Sequence, residues 1–355
     1  MNERKIDPKL TPEREQFYAR LSQYALAPLW ERLNILLTKT PQVASQPCLW
    51  DYEACKSLLF ESAELISAEE AERRVLVLDN PGLNGASAIT ETLYAGWQLL
   101  MPGEVAPAHR HTPSALRFIM DGDGTAYTAV NGEKVYMRPG DMVLTPSMQW
   151  HDHGHEGEEP IVWLDVLDIP YIRNLGTIFF DLYPEERYAE QRPTGLSKSQ
   201  FGVGLKPIEG EYDKINSPMF FYPFSETRKA LMEVVSAQDT DPLVGCKLEY
   251  INPTNGQGAL STISTFLQFM PASFSSSAYR STEGMVFSII EGAGKVVIEH
   301  QGKQFKYTFK PKDTFVIPCW GKQQWEIESD TVLFCASDKV LQERLGLWRQ
   351  EVCNG

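Results

Sequence analysis

Two short clusters hold five of the six histidines of this 355-residue chain. His109 and His111 end the stretch PAHRH, and His151, His153 and His155 follow in WHDHGH. Residues two apart on a strand point to the same face of a sheet, so each cluster is expected to project into one interior. Neutral imidazoles gathered at one point are good ligands for a transition metal. We predict that His109, His111 and His151 bind a metal ion, whereas His155, beside the polar stretch GEE, is expected to make ordinary hydrogen bonds.

A single arginine follows the first histidine cluster. Arg117 lies six residues after His111 and shares its strand parity, so it points inward unless a bulge intervenes. A guanidinium inside a barrel is costly unless it meets an anion. The sequence therefore predicts that Arg117 binds the carboxylate of an acidic substrate. The alternative is an ion pair with an internal acid, for which Asp165 in the apolar run VWLDVLDIP is available.

The elements that must position these side chains are mostly short strands. Runs such as LYAGWQLLM, ALRFIMD and AYTAV alternate in the manner of strands and are separated by PG, DG and NG turns. Asn131-Gly132 between two such runs is a strong hairpin signal. Helical patterns are confined to residues 11–38 with a break near Pro28, 52–59, 68–74 and 226–237. We predict a mainly β protein built from antiparallel barrels.

An internal repeat indicates that one barrel is built twice. The stretch MPGEVAPAHRHTPSALRFIMDGDG aligns with MPASFSSSAYRSTEGMVFSIIEGAG, residues 270–294. His109, His111 and His151 then correspond to Tyr279, Ser281 and Gln323, which are poor metal ligands. The second barrel is therefore predicted to be structural and free of metal, with Tyr279, Phe287 and Trp325 filling it.

Composition narrows the class of protein further. The 33 basic and 47 acidic residues give a net charge of −14, which argues against nucleic acid and anionic membranes as partners. The first residues are polar and no long apolar run follows, so no signal peptide or membrane span is expected. The six cysteines form no CxxC pair, and we expect reduced, mostly buried thiols in a cytoplasmic protein.

The motifs resemble those of the cupin families. The first cupin motif is matched by Gly103, His109, His111 and Gly122, and the second by Gly140, Pro146 and His151. The usual cupin glutamate ligand is replaced by Ala115. A bicupin with three histidine ligands in one barrel and none in the other is similar to the gentisate 1,2-dioxygenase family. The resemblance covers about residues 70–340. It implies two tandem double-stranded β-helix, or jelly-roll, barrels after an N-terminal helical segment.

The resemblance also implies an activity. Members of this family bind Fe(2+) and use O2 to open the ring of gentisate (2,5-dihydroxybenzoate) to maleylpyruvate. Salicylate and 1-hydroxy-2-naphthoate are the alternative substrates. A metal-dependent isomerase or a non-catalytic, ligand-binding bicupin is a more remote alternative, since isomerase cupins usually keep the glutamate and storage bicupins lack the histidines. The family is usually oligomeric, which implies a homotetramer here.

Further site residues are carried over from the resemblance. It implies that Arg117, His153 and Asp165 act in catalysis, with His153 contacting a substrate oxygen or transferring a proton. Asp165 could instead orient a histidine. On the strand YAGWQ, Tyr94 and Gln98 share parity and match substrate-binding positions, while Trp97 on the other face is expected in the core. Arg73 or its neighbour Arg74 is expected to add a second cation, with Arg73 preferred.

Together these patterns divide the chain into five parts. Residues 1–75 form the N-terminal helical segment and residues 76–170 the iron-binding cupin. Residues 171–240 form a connector with a helix, residues 241–340 the degenerate, metal-free cupin, and residues 341–355 a C-terminal tail. The connector is too rich in Phe and Tyr for a solvated linker, so we expect it to pack along a barrel or in an interface.

Overall fold

The computed structural model describes residues 11–353 and divides the chain into two compact units, which separate after Gln42. The first unit contains helices α1 (Pro12–Gln23) and α2 (Leu29–Leu36). Thr11 caps α1 with its hydroxyl, and a proline in the first turn follows, as the sequence predicts. The predicted break near Pro28 separates the two helices.

The second unit contains six more helices. They are α3 (Tyr52–Leu65), α4 (Ala68–Ala71), α5 (Ile169–Asn174), α6 (Leu196–Phe201), α7 (Phe224–Ala237) and α8 (Lys339–Arg344). Helix α3 is longer than predicted. Helix α4 is shorter, because Glu72 adopts a positive φ of 51° that ends it. Arg73 and Arg74 therefore lie in a turn and not on a helix. The finer division predicted at residues 75, 170, 240 and 340 stays a prediction.

The remaining structure is mostly strand. The first twelve strands are β1 (Cys48–Trp50), β2 (Val75–Val77), β3 (Tyr94–Leu100), β4 (Val105–His111), β5 (Ala115–Asp121), β6 (Ala126–Val130), β7 (Glu133–Tyr136), β8 (Met142–Thr145), β9 (His151–His155), β10 (Ile161–Leu167), β11 (Phe180–Leu182) and β12 (Phe221–Tyr222). The other ten are β13 (Cys246–Glu249), β14 (Ser264–Met270), β15 (Tyr279–Ser281), β16 (Met285–Glu291), β17 (Gly294–His300), β18 (Lys303–Phe309), β19 (Thr314–Ile317), β20 (Lys322–Ile327), β21 (Thr331–Ser337) and β22 (Gln350–Val352).

These strands form two jelly-roll barrels, each made of a six-stranded and a five-stranded antiparallel sheet. In the first barrel the sheets have the orders β12-β8-β5-β10-β3-β2 and β11-β4-β9-β6-β7. In the second they have the orders β1-β19-β16-β21-β14-β13 and β18-β17-β20-β15-β22. The predicted tandem-barrel fold is confirmed. So is the hairpin at Asn131-Gly132, where both residues have positive φ and join β6 to β7.

Cross-strand register confirms the internal repeat residue by residue. His109 on β4 lies opposite His151 on β9, and Tyr279 on β15 lies opposite Gln323 on β20. The two pairs are those that the sequence alignment matched. The histidine positions of the first barrel therefore have direct structural counterparts in the second.

The largest core contains residues of the first barrel and its helices together with residues of the six-stranded sheet of the second barrel. Phe118 of the first barrel stacks on Phe334 of the second, with ring centroids 4.3 Å apart. Trp97 is 1% exposed and donates its indole N–H to Thr314 Oγ1 at 3.2 Å. Its predicted place in the core is confirmed. A separate core fills the second barrel and contains Phe287 and Trp325.

Each barrel receives a strand and a helix from the segment that precedes the other barrel. Strand β1 pairs with β19 of the second barrel, and β12 pairs with β8 of the first. The helices that follow are held in matching ways, since Tyr52 N donates to Asp313 Oδ1 and Phe224 N donates to Asp141 Oδ1. This crossing explains why the connector is rich in aromatic residues: much of it belongs to the first barrel.

All six cysteines are free thiols. Only Cys335 is fully buried and the other five are partly exposed, so the expectation that most would be buried was wrong. Within residues 11–353, no helix has the length and apolar character that a membrane crossing needs.

Candidate metal centre

Three histidine side chains meet inside the first barrel. The available nitrogen atoms of His109, His111 and His151 all lie within 4.8 Å of one another. His109 and His111 project from alternate positions of β4, and His151 comes from the neighbouring strand β9. Each residue is at most 8% exposed. The structure thus brings together the three residues that the sequence predicted as metal ligands.

Backbone carbonyls hold the three rings in one orientation. Nδ1 of His109 lies 2.7 Å from Pro107 O, Nδ1 of His111 lies 2.7 Å from Pro113 O, and Nδ1 of His151 lies 2.9 Å from Gln149 O. A carbonyl can only accept, so each Nδ1 carries the proton and each Nε2 presents a lone pair. Nε2 of His151 is buried without a hydrogen-bond partner. Three such lone pairs form a donor set that fits a divalent metal ion.

Burial keeps these imidazoles neutral. It lowers the pKa of His109 to about 2, with a further contribution from the positive charge of Arg73. It lowers the pKa of His111 to about 4 and holds that of His151 well below its ordinary value. Neutral imidazole is the form that binds a metal. The site is therefore prepared to take a cation without first losing protons.

Arg117 lies in the same interior, on β5. Its Nη1 donates to Thr145 Oγ1 at 2.8 Å, and its Nε lies 3.6 Å from Asp165 Oδ1 on β10. The predicted inward direction is therefore observed, together with the internal acid of the alternative interpretation. Burial lowers the pKa of Arg117 to about 10 and raises that of Asp165 to about 6. Asp165 also accepts from Trp163 Nε1 at 3.0 Å. It makes no hydrogen bond to a histidine in the described part of the chain.

The two consecutive arginines lie in the turn before β2, and their side chains make different contacts. The guanidinium of Arg73 lies 5.2 Å from the ring centroid of Phe180, whose ring is 5.7 Å from that of His109. Its positive charge also contributes to the lowered pKa of His109. Arg74 instead forms a buried ion pair with Glu104, with Nη1 and Oε2 2.7 Å apart. Arg73 is therefore the member of the pair that lies beside the metal centre.

Tyr94, Gly96 and Gln98 alternate along β3 and face the same side. Tyr94 is half-buried, and Gln98 is 2% exposed with its Nε2 unpartnered. Burial raises the pKa of the Tyr94 phenol, which keeps it neutral and able to donate. Val75 and Tyr94 approach Gly96 too closely for any side chain at that position. A Cβ there would lie 2.5 Å from Val75 Cγ1 and 2.9 Å from Tyr94 Oη. Gly96 thus allows the phenol to extend over the sheet.

The other two clustered histidines have different surroundings. His153 is fully buried, with Nδ1 2.8 Å from Thr128 Oγ1 and Nε2 unpartnered. Both nitrogens of His155 are bonded, since Nε2 lies 2.6 Å from Glu159 O and Nδ1 accepts from Gly157 N at 3.0 Å. His155 therefore makes the ordinary hydrogen bonds that the sequence predicted. His153 keeps one nitrogen available.

Four buried polar atoms around the centre have no partner among the described residues. They are Arg73 Nε, Gln98 Nε2, Arg117 Nε and His153 Nε2. A buried polar group without a hydrogen bond costs about 1–3 kcal/mol, so such groups are rare unless a ligand satisfies them. Their concentration beside one histidine cluster indicates a binding site for a molecule that carries several oxygen atoms.

The corresponding place in the second barrel is filled. Arg117 and Gly96 both lie opposite Asp165, and in the second barrel Phe287 and Phe266 both lie opposite Cys335. Phe287 packs edge-on against Trp325, with ring centroids 5.2 Å apart. Within residues 11–353 the only cluster of metal-ligating side chains is the one in the first barrel.

Several residues near the centre were not predicted from the sequence. They are Thr128, Thr145, Trp163, Gly96 and Phe180. Trp163 shares strand parity with the predicted residue Asp165, which is a usable signal. The sequence gives no signal for Phe180, because only the folded structure shows that β11 pairs with β4.

Comparisons with known proteins agree with this geometry. A model described as Cupin domain matches residues 96–167. The chain is 46% identical to gentisate 1,2 dioxygenase 1 from Aquipseudomonas alcaligenes over 97% of each chain. It is 35% identical to a gentisate 1,2-dioxygenase from Ralstonia sp over 94% of this chain and 93% of that one. Its fold is similar to salicylate 1,2-dioxygenase from Pseudoaminobacter salicylatoxidans in adducts with gentisate, with a TM-score of 0.91, 31% identity, and coverage of 100% and 98%.

Proposed function

The chain belongs to the gentisate 1,2-dioxygenase family, and we propose that it uses O2 to open the ring of gentisate to maleylpyruvate at an Fe(2+) ion bound by His109, His111 and His151. It is a ring-cleaving dioxygenase. The observation that carries the assignment of the site is the set of three neutral imidazoles with free Nε2 atoms, surrounded by unpartnered buried donors. Three nitrogen ligands without a carboxylate suit ferrous iron and leave positions open for other molecules.

When bound, the iron supplies a shared site for the substrate and O2 and the redox chemistry between them. The chain's own residues bind and orient the substrate. Arg117 binds the substrate carboxylate in this proposal, which is supported by Thr145 fixing one end of its guanidinium and by an Nε without a hydrogen-bond partner. Arg73 adds a second positive charge, and Gln98 Nε2 is a free amide donor. These groups favour an anionic aromatic acid over a neutral phenol.

His153 is suited to accept a hydrogen bond from a substrate hydroxyl. Thr128 donates its hydroxyl to Met137 Sδ at 3.1 Å and so accepts from Nδ1–H of His153. Nε2 of His153 is then an acceptor facing the interior. Burial, followed by the charge of Arg117, holds the pKa of His153 well below its ordinary value, so the ring is neutral. Asp165 balances the charge of Arg117 from the opposite strand.

Tyr94 favours gentisate as the substrate. Gentisate differs from salicylate by a 5-hydroxyl, and a neutral phenol can hydrogen-bond it. The comparison with salicylate 1,2-dioxygenase makes salicylate the second candidate, followed by 1-hydroxy-2-naphthoate. An isomerase and a non-catalytic bicupin are not favoured, because the relatives named above are dioxygenases.

Oxygen uptake after anaerobic loading with Fe(2+) is the direct test. We expect the highest kcat/KM with gentisate, and we expect Tyr94→Phe to reduce the preference for gentisate over salicylate. The variant Tyr136→Phe, which alters an exposed tyrosine of the same barrel, is the control. Uptake with salicylate but not with gentisate would reassign the substrate. No uptake with any of the three acids would remove the proposed reaction.

We also propose a homotetramer in a reducing, cytoplasmic compartment. The described N-terminal helices expose Trp30 and Ile35, and the connector exposes Phe179 and Leu182. Large exposed apolar side chains are typical of interfaces. Six unpaired thiols fit a reducing compartment. Light scattering on the intact protein tests the assembly, and a monomer would contradict it.

A further inference from the structure

Arg74 makes hydrogen bonds to three separate segments of the chain. Its Nη1 and Nη2 donate to the two carboxylate oxygens of Glu104 at 2.7 and 3.0 Å. Nη2 also donates to Ile66 O at the end of α3, at 3.0 Å. Its own carbonyl accepts from Leu99 N on β3. The side chain is only 5% exposed, so this is a buried two-pronged ion pair and not a surface contact.

Glu104 is itself fixed. Oε2 accepts from Met101 N at 2.8 Å, and the carbonyl of Glu104 accepts from His155 N. Burial works to raise its pKa, but the hydrogen bonds from Arg74 and Met101 hold the pKa below its ordinary value. Glu104 stands directly before β4, the strand that carries His109. The ion pair therefore links the turn before β2 to the start of the ligand strand.

The Arg73 side chain, by contrast, makes no hydrogen bond within residues 11–353. Its Nε is buried and unpartnered, and its guanidinium lies over the ring of Phe180. The residue before it, Glu72, has a φ of +51° that few non-glycine residues adopt. A backbone in a sparsely populated conformation persists only when the surrounding contacts hold it. The contacts that follow the turn are those of Arg74.

We propose that Arg74 and Glu104 are positioning residues that hold Arg73 beside the metal centre. The proposal rests on the proposed function, in which Arg73 helps to bind the anionic substrate. Arg73 and Arg74 are consecutive residues of the turn before β2, so the contacts that fix Arg74 also restrict the backbone from which the Arg73 side chain projects. Arg74 and Glu104 do not touch the substrate in this arrangement. They act only through Arg73.

The test is a cycle of variants. Arg74→Met with Glu104→Gln removes the ion pair without leaving a buried charge unpaired. We expect this double variant to raise the KM for gentisate by about 10-fold, the size of one lost charge-assisted contact, with metal content unchanged. In an Arg73→Ala background the same two changes should raise KM by less than about 2-fold. Full additivity would overturn the proposal, because it would mean that the pair acts independently of Arg73.

A second readout does not depend on activity. In a crystal structure of the Arg74→Met, Glu104→Gln protein, the Arg73 guanidinium should leave its position over Phe180. An unmoved Arg73 would overturn the proposal even if KM changed. If the wild-type enzyme consumed no O2 with gentisate, the proposed function would fail while this structural comparison would still decide the positioning role.

A second two-pronged ion pair, at the surface, is available on α7 as a control. Arg228 forms a two-pronged ion pair with Glu291 at 2.7 and 2.8 Å, outside the metal centre. Arg228→Met with Glu291→Gln should leave the KM for gentisate unchanged. A rise in KM equal to that of the Arg74 and Glu104 variant would show that loss of any such ion pair has this effect and would contradict a specific positioning role.

Discussion

Arg117 and Asp165 are direct cross-strand neighbours on β5 and β10, and Arg117 Nε lies 3.6 Å from Asp165 Oδ1. Each residue is 5% exposed. The separation is too long for a good hydrogen bond, and Arg117 Nε has no hydrogen-bond partner in the described chain. The carboxylate therefore balances the charge of the guanidinium but leaves donors available to a second anion.

Replacing this arginine should weaken substrate binding and leave the metal in place. Removing a charge-assisted contact from a desolvated site costs about 2–4 kcal/mol. We expect Arg117→Ala to lower apparent affinity for gentisate at least ~30-fold. Steady-state kinetics and anaerobic binding measure the change, and elemental analysis checks the metal. Arg138→Ala, an exposed site in the same barrel, serves as the control.

The variant also leaves Asp165 as an unpaired buried acid, which could unfold the protein. Adding Asp165→Asn removes that charge and keeps the experiment informative. Unchanged affinity in both the single and the double variant would show that Arg117 only pairs with Asp165.

The sequence predicted the ligand triad because the signal is local. Alternation on one strand sets His109 and His111 on one face, and the resemblance to the second cupin motif marks His151 as the third ligand. The direction of Arg117 followed from the same parity. The choice between Arg73 and Arg74 did not, because it depends on the positive φ at Glu72 that ends α4 one turn early.

The two barrels could be predicted from the sequence. The exchange of strands, in which each barrel receives a strand from the segment before the other barrel, could not. Strand β1 is separated from its partner β19 by more than the whole first barrel. Short strands at such separations leave no periodic signal in the sequence. For the same reason the pairing of β11 with β4, which brings Phe180 to His109, emerged only from the structure.

The metal content should be one ion per chain. We expect His109→Ala with His111→Ala to abolish it, because two of the three nitrogen ligands are lost. Gln323→Ala, at the position that corresponds to His151 in the second barrel, should leave the metal content unchanged. It should instead lower stability by about 1–3 kcal/mol, since Trp325 Nε1 loses the acceptor that lies 3.0 Å away.

Elemental analysis and thermal unfolding separate these outcomes. His155→Gln is a second control, because both ring nitrogens of His155 bond to the local loop. Two ions per wild-type chain, or retention of metal in the double histidine variant, would refute the assignment.

Gly96→Ala should disturb the position of Tyr94. The new Cβ would lie 2.9 Å from Tyr94 Oη and 2.5 Å from Val75 Cγ1, and overpacking of this kind typically costs about 1–3 kcal/mol. We expect the KM for gentisate to rise more than that for salicylate, which lacks the 5-hydroxyl. Adding Val75→Ala relieves the shorter contact and should restore part of the loss. Equal changes in both KM values would contradict a role of Tyr94 in recognising the 5-hydroxyl.

Asp338 joins the two barrels through its carboxylate. Its Oδ2 accepts from Thr92 Oγ1 at 2.9 Å and its Oδ1 accepts from Gly284 N at 2.9 Å. Burial nevertheless raises its pKa to about 6. Because the folded pKa lies above the ordinary value of 3.8, the fold favours the protonated acid. The stabilisation is complete below about pH 4 and is lost as the pH rises through about 6.

A raised pKa of this size corresponds to about 3 kcal/mol of pH-dependent stability. Asp338→Asn keeps a neutral donor beside Thr92 at every pH, so its free energy of unfolding should lack this dependence. We therefore expect the wild-type protein to lose stability relative to the variant between pH 4 and 7, measured by urea unfolding at matched pH. Asp168→Asn should behave alike, since burial raises the pKa of Asp168 to about 6 and its carboxylate accepts from Thr262 of the other barrel. A difference between wild type and Asp338→Asn that stays constant with pH would mean that this carboxyl titrates equally in the folded and unfolded chain.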